Sequence, residues 1–148
     1  MTLRQVRTGD VVRRLEGHAT VATALTFGPR DAQALSGAED GLVVLWDVGA
    51  CRIVHRMRGH GARVTSLAFS AEGRTALSGS IGRKVILWDL TEGEAIRIFS
   101  GHGDGVDAVG FVPRSRRVLS ASARELILWR IDELGALVAW TRNNRHMD

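Results

Sequence analysis

The chain is poor in the residues that staple or anchor a protein. One cysteine, Cys51, stands in 148 residues, so no internal disulfide can close. That excludes a stapled secreted scaffold and suits a reducing compartment. Prolines number two, too few for a largely disordered chain. No apolar run approaches the roughly 18 residues of a membrane span, and Met1 to Arg7 lack the apolar stretch of a signal peptide. These absences give a cytoplasmic address and no membrane partner as the expectation. Lysine is nearly missing too: Lys84 is the only one among 20 basic side chains. Arginine in such excess admits phosphate binding, but codon bias in a GC-rich genome produces it equally, and 16 acidic residues are interspersed in a net charge of +4. What is present, 45% apolar and 24% charged residues, is ordinary material for one globular domain.

Self-comparison reveals a period. Gly17-His18, Gly59-His60 and Gly101-His102 recur every 42 residues, and Trp46, Trp88 and Trp129 follow at spacings of 42 and 41. Each tryptophan closes an apolar run: Val43-Val44-Leu45, Val85-Ile86-Leu87 and Leu126-Ile127-Leu128. Ala34-Leu35-Ser36-Gly37, Ala76-Leu77-Ser78-Gly79 and Val118-Leu119-Ser120-Ala121 stay in register, as do Phe27, Phe69 and Phe111. A repeat of this length marks a unit that buries its faces against its own copies.

The short apolar runs, rich in valine, isoleucine and leucine and bounded by glycine and charged turns, read as strands buried on both faces. Each Gly-His is followed by one strand, then a second ending near the serine, then a third ending at the tryptophan. A fourth, Arg52-Ile53-Val54-His55-Arg56-Met57-Arg58, alternates in polarity, as an outer strand with one wet face does.

Four strands per unit, opened by Gly-His and closed by Trp46-Asp47, Trp88-Asp89 and Trp129-Arg130, resemble the WD40 repeat family of β-propellers. The resemblance spans residues from about 10 to 131. It implies an all-β fold of WD40-type propeller blades, with repeats at about 17–58, 59–100 and 101–131 and an orphan outer strand at about 10–16. It also implies a buried hydrogen-bond chain of histidine, serine, aspartate and tryptophan in each blade. The first copy matches with His18, Ser36, Asp40 and Trp46. The second supplies His60, Ser78 and Trp88 but has Gly82 at the aspartate position. The third supplies His102, Ser120 and Trp129, with Arg124 and Glu125 near a shortened turn.

Other chemistry finds little support in these residues. A His-Ser-Asp set invites a hydrolase reading, yet the serines lie inside buried strands and no Gly-x-Ser-x-Gly elbow exists. No Cys, His and carboxylate cluster has metal-ligand spacing. Gly101-His102-Gly103-Asp104-Gly105 has no helix after it to make a phosphate loop. Cys51, aligned with Gly9 and Gly93, reads as an inert surface thiol. Arg114-Ser115-Arg116-Arg117 reads as a solvated turn, with an anionic partner as the sharper alternative. No catalytic, cofactor or metal residue is assigned.

Strand counting leaves an imbalance. The sequence begins with an outer strand at Val11, Val12 and Leu15 and lacks a fourth strand after Trp129, so the three four-stranded antiparallel blades are permuted by one strand. Three blades cover part of a ring, since propellers close with roughly four to eight. The expectation is a homo-oligomer closed by intermolecular strand exchange, in which Val11, Val12 and Leu15 of one chain pair with Leu126, Ile127 and Leu128 of another. A dimer would have six blades and a trimer nine; a fragment of a longer protein is the third option. Residues 132–148 read as a short C-terminal helix and tail, capped by Asp132 with Leu134, Leu137, Val138 and Thr141 at helical spacing. This tail resembles the endings of some large bacterial signalling proteins whose last module is a WD40 propeller. The resemblance implies a non-catalytic scaffold that binds other proteins. A nucleic-acid or polyanion module using an arginine-rich face is the alternative, and an enzyme the remote one.

Overall fold

A computed structural model describes residues 1–4, 7–29, 32–131 and 137–143. Among them every helix or strand is a strand, fourteen in all. Strands β1 (Thr2–Arg4) and β2 (Val11–Arg14) form a two-stranded ribbon. The first four-stranded sheet holds β3 (Ala22–Phe27), β4 (Gln33–Ala38), β5 (Val43–Asp47) and β6 (Arg52–Met57). The second holds β7 (Val64–Phe69), β8 (Thr75–Ser80), β9 (Lys84–Asp89) and β10 (Glu94–Ser100). The third holds β11 (Val106–Phe111), β12 (Arg117–Ser122), β13 (Glu125–Ile131) and β14 (Leu137–Asn143). Each sheet is an antiparallel meander in chain order.

Burial explains the residue types. In the first two sheets the side chains from Val43 to Trp46 and from Val85 to Trp88 are buried, because both faces of those two strands are covered. Strand β6 alternates between exposed and half-buried positions until Met57, as its mixed sequence requires. Two cores form at the seams between sheets. One joins Leu35, Val43 and Leu45 of the first sheet to Val64, Ile86 and Trp88 of the second. The other joins Leu77, Val85 and Leu87 to Val106, Ile127 and Trp129 of the third. A third cluster sets Leu15, beyond the ribbon, on Val44 and Trp46.

The structure corrects three expectations. Residues 137–143 are a strand and not part of a helix; residues 132–136, where that helix would begin, lie outside the described residues. Strand β13 presents a row of unpaired main-chain groups, and β14 pairs with it from Glu125↔Asn143 to Ile131↔Leu137, so a non-local ladder overrides the local helical spacing. The edge at Leu126, Ile127 and Leu128 is therefore occupied within the chain. The strand holding Val11 and Val12 is not an orphan either: β2 pairs with β1, with Thr2↔Arg14 and Leu3↔Arg13 opposed, and Leu15 exchanges hydrogen bonds with Met1 beyond it. Strand exchange onto β13 thus loses its free edge.

Candidate interaction surface

The repeated His, Ser and Trp are brought together three times. Trp46 Nε1 donates to Ser36 Oγ at 2.7 Å, and His18 Nε2 lies 2.5 Å from the same oxygen. The second sheet repeats this with Trp88, Ser78 and His60 at 2.7 and 2.6 Å, and the third with Trp129, Ser120 and His102 at 2.8 and 2.6 Å. An indole N–H only donates, so the serine oxygen accepts it, and the direction of the serine–imidazole bond follows the ring's tautomer. Each serine is buried and engaged on both sides, so the arrangement ties strands together and offers no hydroxyl to a substrate.

The fourth member differs between copies. Asp40 does not hydrogen-bond His18, whose Nδ1 is buried without a partner; its Oδ1 accepts instead from the Leu42 amide at 3.1 Å. Where the second copy has Gly82, Ser80 takes over the turn: the Gly82 amide donates to Ser80 Oγ at 3.0 Å, and that hydroxyl donates to the Ala62 carbonyl at 3.2 Å. In the third, Glu125 Oε1 accepts from the Gly103 amide at 2.9 Å and lies 3.4 Å from His102 Nδ1, within ion-pair range but not aligned as a hydrogen bond. Burial lowers the pKa of His18, partly offset by the Asp40 charge. Burial, with Lys84 adding to it, lowers that of His60 to about 4.

Two threonines escaped the sequence reading. Each first strand carries a register irregularity near its start, at Ala22/Ala24, Val64/Ser66 and Val106/Ala108. The extra residue re-aims its side chain. Thr23 Oγ1 donates across the seam to the Val64 carbonyl at 2.6 Å, and Thr65 Oγ1 to the Val106 carbonyl at 2.5 Å. Their even spacing of 42 was the available signal. Several arginines are engaged by the chain itself: Arg56 with the Gly17 carbonyl, Arg4 with the Gly9 carbonyl, Arg52 with Asp47 and Arg124 with Asp104.

The family model of the WD domain, G-beta repeat, matches residues 9–47, 51–89 and 93–130. The chain belongs to the WD40 repeat family. No curated protein matches it. Among solved structures it is similar to U3-55K, with TM-score 0.81, 26% identity and coverage of 90% of this chain and 42% of that one. The WD40 repeats of RRP9 give TM-score 0.80, 26% identity and coverage of 90% and 42%. The β-propeller domain of Cps50 (Swd1) from Myceliophteria thermophila gives 0.77, 30%, and 84% and 40%. The chain thus spans about two fifths of each of these propeller chains.

The three sheets are WD40 blades, and the outermost faces of the series are bare. On the third blade Leu119 is 39% and Leu126 50% exposed, whereas the aligned Leu35 and Leu77, Val43 and Val85, are all at 0%. On the first blade Leu25 is 51% and Phe27 62% exposed, while the aligned Leu67 and Phe69 pack against the seam core. Of the closing set, Leu15 packs on the first blade, Val11 is exposed, and Leu126 lies on the third blade's far face. Among the described residues no three His, Cys, Asp or Glu gather as a metal site, and no helix is long and apolar enough to cross a membrane.

Proposed function

We propose that this chain is a non-catalytic protein-interaction scaffold, an arc of WD40 blades whose ring is completed by a second copy. The exposure of Leu119 and Leu126, where both aligned pairs are wholly buried by a following blade, carries the reading. Contiguous apolar surface of this kind marks an interface. The contact is face on face and head to tail, so it needs no exchanged strand and must close or propagate.

The ribbon favours two copies over three. Leu15 covers Trp46 as Met57 covers the second blade and Phe99 the third, so β1 and β2 fill the outer half of a fourth wedge. Two chains then span about eight wedge positions, within the range in which propellers close, and three would span about twelve, beyond it. A closed ring of this kind presents its loops and central opening to other proteins, the use generally made of this non-catalytic family.

Light scattering on the purified chain tests this. The expected mass is twice the 16.1 kDa of one chain, falling to one chain in Leu126→Asp. A monodisperse, folded monomer at micromolar concentration would sink the assembly.

A further inference from the structure

Between the second and third blades, the turn from β7 to β8 and the turn from β11 to β12 stand apart around a cleft of about 450 Å³. That lies within the range of roughly 300–1,000 Å³ in which ligand clefts fall. Phe111, Val112 and Pro113 give it an apolar side, Glu72 a negative wall and Arg114 a positive one. The two charges do not pair with each other: the ion pairs among the described residues join Arg52 to Asp47, His102 to Glu125 and Arg124 to Asp104. The residue aligned with Arg114 in the turn facing the first seam is Glu72, so of the two internal seams the second alone has a guanidinium there.

Two further features distinguish this cleft. The first seam has Gly28 where the second has Ser70, and the Phe69 ring closes to 3.3 Å from where a Cβ on Gly28 would stand. Ser70, 5% exposed, lines the cleft, and its Oγ accepts from the Thr75 amide at 3.1 Å. A hydroxyl also has a proton to donate, and that proton meets no acceptor among the described residues. Arg114, for its part, sits at φ 55°, in the left-handed region where the second blade's turn places Gly73. Its turn is braced by Ser115, whose Oγ donates to the Val112 carbonyl and accepts from the Arg117 amide, both at 3.2 Å. A braced backbone has less freedom to lose on binding.

We infer that this cleft docks a short extended peptide segment of a partner protein in which an acidic side chain stands next to a basic one. The carboxylate pairs with Arg114, the cation with Glu72, and apolar groups lie on Phe111 and Pro113. An acceptor of the segment takes the Ser70 proton. A nucleic acid carries a phosphate on every residue, so it would meet Glu72 as a repulsion, and an all-acidic peptide would do the same. A mixed pair answers both walls. The inference rests on the reading of the chain as a scaffold for other proteins, but not on how the ring is completed, since the cleft lies inside the arc.

The probes are three acetylated, amidated peptides, Val-Glu-Lys-Val, Val-Glu-Glu-Val and Val-Lys-Lys-Val, titrated at low salt into the full-length chain while the amide signals of Ala71, Glu72 and Val112 are followed by NMR. The mixed peptide is expected to bind at least about threefold more tightly than either other, the scale of exposed charge pairs. Glu72→Lys is expected to transfer the preference to the Glu-Glu peptide, and Arg114→Glu to the Lys-Lys peptide; both side chains are exposed, so both variants fold. Equal binding of all three peptides, or no shift at millimolar peptide, would overturn the cleft. A single-stranded oligonucleotide that shifts the same amides more strongly than the mixed peptide would assign it to nucleic acid and overturn it too. A dimer that ignores the peptides refutes the cleft alone, whereas a monomer that binds the mixed one refutes the ring and keeps the cleft.

Discussion

Gly79 and Val106 meet across the seam between the second and third blades, where a Cβ on Gly79 would lie 2.7 Å from Val106 Cγ1 and 3.0 Å from Val109 Cγ1. The glycine is there to let a neighbouring blade approach. Gly79→Ala is expected to cost about 1–3 kcal/mol, the usual penalty for overpacking, measured by urea denaturation. Val106→Ala in the same chain should return part of that loss, a coupling that two unconnected sites would not show.

Trp88 is the largest side chain of its seam and is 1% exposed. Trp88→Ala is expected to destabilise by about 3–5 kcal/mol through the cavity it leaves, with a further cost because Ser78 Oγ loses the donor it now accepts. A melting temperature equal to that of the parent would contradict the packing described for the second blade.

Cys51 sits in the left-handed region at φ 52°, while Gly9 and Gly93, which align with it, have φ 73° and 75°. A side chain there is strained by roughly 1–2 kcal/mol. Cys51→Gly is expected to stabilise the chain by about 1 kcal/mol, less what is lost from the thiol's contact with the Val48 carbonyl at 3.5 Å and its packing against the Leu15, Val44 and Trp46 cluster. A lower denaturation midpoint would show that the thiol matters more than the backbone.

Acid should weaken the fold through His60. Its pKa falls from 6.5 unfolded to about 4 folded, so between those values the unfolded chain binds the extra proton. The stability from keeping this ring neutral is complete above pH 6.5 and declines as pH falls toward 4, by about 1.4 kcal/mol per pH unit at most. Burial moves His18 the same way. Denaturation at pH 7 and pH 5 is expected to show the lower stability at pH 5, and equal values would remove burial as the controlling term.

Gly82 offers a way to alter that response. At His18 the nearby Asp40 charge raises the pKa against burial, and the second blade has no carboxylate at the aligned position. A Cβ at Gly82 would lie 3.2 Å from Ala62 Cβ, a tight but adjustable approach. Gly82→Asp is expected to raise the His60 pKa, read by NMR titration, and to flatten the loss of stability between pH 7 and pH 5.

Much of the fold is legible in the linear chain, because the repeat carries its own check. Three phased copies of Gly-His, Phe, Ser and Trp fix which apolar runs are strands, and the indole, hydroxyl and imidazole must find one another once those strands pair. The seam threonines were equally periodic, but a hydroxyl that bonds a carbonyl 41 residues away has no local signature. The same limit applies to Asp40, whose short side chain satisfies its own turn at Leu42 instead of reaching His18.

The linear chain was sufficient for the period, the strand type and the residues that tie each blade, since all three depend on spacing and on polar groups that burial forces into pairs. Folding in three dimensions settled the fate of the two ends. Leu137 to Asn143 have helical spacing, yet the open ladder of β13 draws them into a strand. Thr2 to Arg4 are too short to declare themselves until β2 lies beside them. An edge strand takes its conformation from hydrogen bonds offered by a neighbour, and no run of residues contains that neighbour within itself.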